Sequence, residues 1–391
     1  MFSNHKALSD QTIVITGASS GIGLATAYRA ADAGANVVLS ARNAEALADA
    51  ARSIESRGGE AAWVAVDIGE PDAAERIGAC AQERFGGFDS WVNNAAAAMF
   101  APLLKTDMDE HRRIFDTGYF GLVSASQYAA RKLKDRGGAI INVGSVLSER
   151  SVPIQGAYSA MKHAVAGFTE ALRMELEAED APISVTLIKP NGMQTPYPEH
   201  AHSELDKPPR IPPVVYDPRL VAKAICHACA HPKRDITVGG QGLVLTKGGN
   251  IAPRLMDKVM ETFFGESGQT DETPARPGMR DNLFEPRRDG SVDGNKDHYV
   301  RRTSLALEAQ LHPWRTAAIA GGAALLGAAA LKRRNHAHAS GRPSFGSDRG
   351  SGDGARRGNG AHQPDGRDSS AQYQAGIADE QMVPERASSP A

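Results

Sequence analysis

T-G-A-S-S-G-I-G, Thr16 to Gly23, follows directly on the apolar run Thr12–Thr16 and opens a helical stretch. Gly17, Gly21 and Gly23 permit a tight turn, close backbone approach to a pyrophosphate, and tight packing of helix on strand. The helix N-terminus then turns free N–H groups toward the anion. A glycine triplet alone is weak evidence. In a strand–turn–helix context near the N-terminus, a merely structural turn becomes a poor competitor.

The same alternation continues outward. Further strands are predicted at Asn36–Ala41, Ala61–Val66, Ser90–Asn93, Ala139–Val143, Ile183–Ile188 and Asp235–Val238. Between them lie amphipathic stretches: Gly23–Ala33, Ala44–Arg57, Asp72–Phe85, Met108–Arg136, Ala157–Glu179 and Pro218–Ala230. Short apolar runs separated by helices read as buried parallel strands with crossovers. The fold class is therefore α/β, a doubly wound, Rossmann-type parallel sheet of seven strands with helices on both faces.

Composition narrows the function. The 391 residues are 41% hydrophobic and 23% charged, which is ordinary globular usage. Lys plus Arg is 44 against Asp plus Glu at 46, so no global charge favours nucleic acid, and none is expected as a partner. Three cysteines cannot form a disulfide framework and fit a reducing, cytoplasmic compartment. The polar stretch from Met1 to Gln11 predicts no secretory signal.

Two further groups carry chemistry. The second strand ends in Ser40-Ala41-Arg42, where a carboxylate would suit a ribose 2′-hydroxyl and Arg suits a 2′-phosphate, so Arg42 argues for NADP(H) over NAD(H). Its bland alternative is a solvated Arg at a helix start. Asp67, ending the third strand, is placed either to meet the adenine ring or to cap the next helix. Tyr158 and Lys162 stand one turn apart on one helix face. A free tyrosine titrates near 10, and a neighbouring ammonium together with a positively charged nicotinamide lowers it. Ser145, at the end of the fifth strand, is placed to hold a substrate oxygen.

With these in view the chain resembles the short-chain dehydrogenase/reductase family, from about residue 8 to 245. The resemblance rests on T-G-A-S-S-G-I-G, N-N-A-A (Asn93 to Ala96), Ser145, Y-S-A-M-K (Tyr158 to Lys162) and K-P-N-G-M-Q-T (Lys189 to Thr195). It implies an NADP(H)-dependent oxidoreductase interconverting a carbonyl and an alcohol, acting on a small molecule, and a homo-oligomer. Tyr158 would be the general acid/base, Lys162 would bind the nicotinamide ribose and lower the tyrosine pKa, and Ser145 would position the carbonyl. The cofactor would touch Thr16, Gly17, Ser19, Ser20, Gly21, Ile22 and Gly23 of the loop, then Arg42, Asp67, Ile68, Asn94, Ala95, Pro190 and Thr195, besides Tyr158 and Lys162.

Four positions depart from the family's pattern. Ala96 adds a methyl where N-N-A-G is usual. Gly118 stands where the tetrad asparagine is expected, which removes a polar anchor of the proton-relay water and puts a flexible residue inside a helix. Met161 replaces the usual Ser before the lysine, and Asn191 replaces the Gly after Pro190. Gly118 supports two competing readings, a weakly catalytic NADP-binding sensor and a membrane-associated scaffold. Ser145, Tyr158 and Lys162 together favour the enzyme.

Beyond the domain at 8–245, residues 246–315 are expected to form an extended arm with one helix near 251–264. Residues 191–213, rich in Pro and His, occupy the place where the family that the chain resembles carries its substrate lid, and their prolines predict a partly ordered flap rather than a long helix. Thr316 to Leu331 is an uncharged Ala/Gly-rich run of 16 residues, flanked by Trp314 and Lys332-Arg333-Arg334. At ~1.5 Å per residue it spans about 24 Å, short of the roughly 30 Å hydrocarbon core. A shallow, peripheral membrane attachment with both flanks cytoplasmic is expected. Residues 332–391, with 9 Gly, 8 Ser and 4 Pro and few aliphatics, are expected to be a disordered tail. No metal site is expected: Cys226-His227-Ala228-Cys229 lies in a helix without a second ligand pair, and His336 and His338 fall in the tail.

Overall fold

The computed structural model of the chain describes residues 5–242, 251–270, 281–287, 290–295 and 298–339. The chain divides into two units, residues 1–327 and 328–391. In the first, seven strands form one sheet: β1 (Thr12–Thr16), β2 (Asn36–Ala41), β3 (Ala61–Ala65), β4 (Ser90–Asn93), β5 (Gly138–Val143), β6 (Ile183–Pro190) and β7 (Asp235–Val238). Their order is β3-β2-β1-β4-β5-β6-β7, and every neighbouring pair is parallel. The order reverses between β1 and β4, which opens a crevice at the carboxyl ends of the strands.

The crossovers are α1 (Gly21–Asp32), α2 (Ala44–Glu55), α3 (Ala73–Phe85), α4 (Met108–Phe115), α5 (Gly121–Leu133), α6 (Gly156–Ala178) and α7 (Arg219–Ala230). Successive β1 side chains feed opposite faces. Ile13 and Ile15 pack with Leu24 of α1, Leu47 of α2 and Ile225 of α7. Val14 packs with Ile77 of α3, Leu133 of α5 and Leu172 of α6. Each such side chain contributes about 1.5–3 kcal/mol by leaving water. Both faces are therefore apolar, and the strands read as continuous apolar runs.

A buried polar network fixes the strand ends below the crevice. Asn93 Nδ2 donates to Asn142 Oδ1 and Ser126 Oγ, each at 2.9 Å, and Asn142 Nδ2 donates to Thr169 Oγ1 at 3.0 Å. Trp91 Nε1 closes the set on Asn93 Oδ1 at 2.9 Å. Satisfied networks of this kind hold one arrangement, because any unpaired member would be costly. Asn93 thus serves the scaffold, while its neighbour Asn94 serves the loop.

Several expectations change. The helix expected over Met108–Arg136 is broken: α4 ends at Phe115, a π-helical turn runs from Asp116 to Phe120, and α5 follows. Asp107 and Glu110 form a reciprocal capping box that sets where α4 begins. Gly121, which opens α5, lies against the segment that follows β3, since a Cβ there would lie 2.6 Å from the Ile68 carbonyl oxygen.

Among its described residues, the segment 246–315 carries the expected helix as α8 (Pro253–Phe264) and, beyond it, α9 (Leu305–Leu311). Leu307 and Leu311 of α9 are buried in the same core as β1. Gln310 takes both backbone groups of Thr237, accepting from its N–H and donating to its carbonyl at 2.9 Å each, which covers the open edge of β7. The apolar run lies within α10 (Pro313–Ala339), so residues 332–339 continue a helix, and residues 340–391 lie outside the described residues. Among the described residues no helix is long and apolar enough to cross a membrane. Alanine and glycine supply too little hydropathy, and the expected membrane attachment finds no support.

Candidate active site

The crevice at the β1/β4 reversal is a cavity of ≈ 320 Å³ with the glycine loop at one end and Tyr158 at the other. Gly17 and Gly21 have φ of 66° and 53°, the left-handed region that glycine adopts without strain. Gly23 has no room for a side chain, since a Cβ there would meet the Gly17 carbonyl oxygen at 2.1 Å. Asn94 Nδ2 donates to the carbonyls of Thr16 and Gly17, at 3.1 and 3.2 Å. Thr16 Oγ1 in turn accepts from the N–H groups of Asn94 and Ala95. The loop's carbonyls are thereby tied to β4 and the start of α1 faces the crevice, a cradle that fits a pyrophosphate once the Gly21 N–H exchanges the Ser291 carbonyl for it. Ser19, Ser20, Gly21 and Ile22 line it.

At the outer end of the cavity Arg42 lines the wall, and its guanidinium is already engaged. It donates to the carbonyls of Asn282, Leu283 and Phe284, in the arm that follows α8. Asp67 is paired with Arg113 and accepts from the Gly69 N–H at 3.0 Å. Burial opposes its charge, but Arg113, the Gly69 N–H and Arg42 together outweigh burial and hold the carboxyl below the usual range. Asp67 caps no helix, because α3 starts at Ala73 after Asp72. Ile68, buried behind it, also lines the cavity.

At the inner end Ser145, Tyr158 and Lys162 come together. Ser145 leaves β5 as the cap of a short turn and accepts from the Leu147 N–H at 3.1 Å. The Tyr158 hydroxyl faces those of Ser145 and Tyr197, and both neighbours favour its ionised form. Lys162 is buried, donates to the Val143 carbonyl at 2.7 Å, and holds Nζ 5.6 Å from the centre of the Tyr158 ring. Burial pushes the Tyr158 phenol up to about 12 and the Lys162 ammonium down to about 7. Thr195 packs on the glycine loop, its Cβ 3.4 Å from where a Cβ on Gly21 would sit, and Pro190 ends β6 beside it.

The four departures have distinct surroundings. Gly118 lies on the π-helical turn, and a Cβ there would meet Met161 Cε and Sδ at 2.7 Å. Met161 therefore fills the space that a side chain at 118 would use. Beside it, the hydroxyl oxygen of Thr117 is buried without a hydrogen-bond partner. Ala96 is exposed on the cavity wall, and Asn191 Nδ2 reaches Gln241 Oε1 at 3.4 Å.

Sequence reasoning missed Tyr197, Arg113 and the contacts that the expected arm makes with the cavity. Nothing marks Tyr197 in the run P-Y-P-E-H, and Arg113 sits 46 residues from Asp67. The arm bridges both walls of the cavity. Ser291 accepts from the Gly21 N–H at 2.9 Å, Gly294 accepts from Gln194 Nε2 at 3.1 Å, and Arg287 donates to the Glu199 carbonyl. Cys226 and Cys229 are free and buried in the core on α7. Elsewhere the His202 ring nitrogens lie 2.8 Å from Asp281, 2.8 Å from Glu110 and 3.1 Å from Glu204. Glu110, His202 and Glu204 are also grouped closely enough to hold a metal ion. The side chains of His336 and His338 lie outside the described residues.

Residues 11–206 match the short chain dehydrogenase family. The chain is similar to the uncharacterized oxidoreductase YxnA of Bacillus subtilis, 43% identical over 331 residues that cover 84% of this chain and 92% of that protein. It is also 32% identical to a 3beta-hydroxysteroid dehydrogenase of Mediterraneibacter gnavus, over 50% of this chain and 71% of the other. Among solved structures, L-sorbose reductase of Gluconobacter frateurii in complex with NADPH and L-sorbose superposes with a TM-score of 0.52 at 24% identity. That match covers 61% of this chain and 98% of the reductase. An alcohol dehydrogenase of the archaeon Thermococcus sibiricus complexed with 5-hydroxy-NADP gives a TM-score of 0.52 at 22% identity, over 58% of this chain and 95% of the other. At these identities the two structures speak for the fold.

Proposed function

The chain belongs to the short-chain dehydrogenase/reductase family and is an oxidoreductase that binds a nicotinamide dinucleotide; from that premise we propose that it interconverts a carbonyl compound and an alcohol, with NADP(H) as cofactor and Tyr158 as general acid/base. The observation that carries this reading is the meeting of Ser145, Tyr158 and Lys162 in the cavity that begins at the glycine loop. Bound there, the nicotinamide supplies the hydride and, once oxidised, a positive charge. Lys162, donating to a ribose hydroxyl, regains the ammonium charge that burial depresses. That ammonium and the Ser145 hydroxyl favour the Tyr158 phenolate. In the reducing direction Tyr158 gives its proton to the carbonyl oxygen, which Ser145 orients; in the oxidising direction it takes the proton back.

Arg42 supports the preference for NADP(H), because its guanidinium stands at the end of the cavity where a 2′-phosphate would lie. Binding one requires Arg42 to exchange arm carbonyls for phosphate. The substrate end is lined by Phe100, Val146, Val152, Ile211, Met260 and Phe264. These side chains favour a largely apolar substrate, while Arg150, His200 and Arg210 on the same cavity wall suit a polar group on it. The steroid named for the Mediterraneibacter gnavus relative makes steroid alcohols and ketones the first class to try.

The test is a screen of NADPH oxidation by the purified chain with aldehydes, ketones, steroids and quinones, run beside Tyr158→Phe. Turnover should fall about 10²–10⁴-fold in the variant while NADPH binding stays, since only the transferable proton is lost. Undiminished turnover in Tyr158→Phe refutes the mechanism. A second reading, a weakly catalytic nucleotide sensor, draws on Gly118, and tight NADPH binding with no turnover across the screen would favour it.

A further inference from the structure

Each turnover must restore the proton that Tyr158 exchanges, and the usual way behind the lysine is closed here. Gly118 offers no carboxamide, and Met161 fills the space beside it. Lys162 donates to the Val143 carbonyl, and the Thr117 hydroxyl is buried without a partner. Methionine is no proton carrier. A group on the opposite side of Tyr158 has to do the work.

Tyr197 stands there. It lies on the short helix Tyr197–His200, just beyond Thr195, with its ring edge-on to Tyr158 at 5.6 Å and to Phe100 at 5.8 Å. Its hydroxyl faces that of Tyr158, and both rings line the same cavity. We infer that Tyr197 is a positioning residue for Tyr158: its hydroxyl donates to the Tyr158 phenolate and passes it a proton from water in the cavity, replacing a relay past residue 118. This rests on the proposed role of Tyr158 as acid/base.

The step balances as follows in the reducing direction. The Tyr158 O–H bond breaks as the substrate O–H bond forms, while hydride from the reduced nicotinamide makes the new C–H bond and leaves the nicotinamide oxidised. The Tyr197 O–H bond then breaks to re-form that of Tyr158, and Tyr197 regains a proton from cavity water, whose hydroxide is neutralised by solvent. Burial raises the Tyr197 phenol well above its ordinary value, so it persists as a neutral donor until the phenolate forms beside it. The other charged or titratable groups on the cavity wall near Tyr158 are Lys162, Arg150 (paired with Asp257), His200 and Arg210. None of these hydrogen-bonds the Tyr158 hydroxyl.

The test reads Tyr158 directly and needs no substrate. The tyrosinate absorption of the full chain is titrated with pH in saturating NADP⁺, and the Tyr158→Phe curve is subtracted to isolate Tyr158. The same subtraction is made between Tyr197→Phe and Tyr197→Phe/Tyr158→Phe. Loss of the donor should raise the Tyr158 midpoint by about one unit or more. A structural role for the ring would leave it in place, because phenylalanine keeps the edge contacts. Equal midpoints in the two backgrounds overturn the inference alone. If Tyr158 does not ionise at all in the unaltered chain, its role as base fails and the inference falls with it. Should Tyr197→Phe lose NADP⁺ binding, Tyr197→Met is read in the same way.

Discussion

Gly118 and Met161 are two departures from one family pattern, and the structure joins them. With no Cβ at 118 the Met161 thioether occupies the gap, and with Met161 in place an asparagine at 118 has nowhere to go. Gly118→Asn alone should therefore cost about 1–3 kcal/mol through overpacking. Gly118→Asn/Met161→Ser should recover much of that, giving a coupling well outside additivity in a thermal double-mutant cycle. Additive effects would show that the methionine moves aside freely. Lys162 yields a second expectation. Its folded value of about 7 lies below the ordinary lysine value of 10.5, so the unfolded chain holds more protons between these two pH values. Stability of the cofactor-free protein should rise with pH across that window, and Lys162→Met should flatten the rise. Urea melts of both proteins at pH 7 and pH 9 measure the slope, and equal slopes would contradict a buried, depressed lysine. At the same scale, Arg42→Asp should weaken NADPH binding by about 1.5–3 kcal/mol and leave NADH little changed. Equal loss of both nucleotides would mean that Arg42 merely holds the arm.

Among the elements, the arm after α8 contributes most that its composition did not announce. It joins the glycine loop to the segment that follows Thr195, and it is pinned at both ends. Arg219 holds Asp293 with two bonds of 2.8 Å, and His202 holds Asp281 at 2.8 Å. Burial lowers the affinity of His202 for a proton, but the carboxylates of Asp281, Glu110 and Glu204 outweigh this and raise its pKa. A raised folded value means that the clamp is fully made below about pH 6.5, the unfolded value, and is lost as pH rises through the folded one. Backbone amides of residues 281–287, corrected for intrinsic exchange, should thus lose protection as pH climbs above neutrality. His202→Gln should show the unprotected behaviour at every pH. Protection independent of pH in the unaltered chain would remove His202 as the cause. The π-helical turn is another element-level feature. Its residues Asp116–Phe120 continue a helical hydrophobic pattern, so periodicity gives no sign of the interruption.

For the whole molecule, the folded unit reaches well past the sheet's last strand. Leu307 and Leu311 are 0% and 4% exposed, and Gln310 closes the β7 edge, so α9 belongs to the core. Truncating one such leucine costs about 2–5 kcal/mol, a large share of the roughly 5–15 kcal/mol that holds a domain together. A chain cut after residue 245 should fail to melt cooperatively or to bind NADPH, whereas one cut after residue 327 should do both. Equal melts for the two would show that the sheet domain stands without α9.

The seven strands and their helices were legible because periodicity and turn chemistry are local, and Thr12–Thr16, Asn36–Ala41, Ser90–Asn93 and Asp235–Val238 occur with the bounds their apolar runs predict. The glycine loop was legible for a related reason, its strand–turn–helix context, and helical spacing put Tyr158 and Lys162 on one face; that Ser145 joins them came from the family resemblance. What the tertiary structure alone decided depends on residues far apart in the chain. Arg113 reaches Asp67, the arm takes Arg42 across about 240 positions, and Tyr197 meets Tyr158 from another segment. None of these pairs has a period or a motif, because each depends on where a loop comes to rest on the finished sheet.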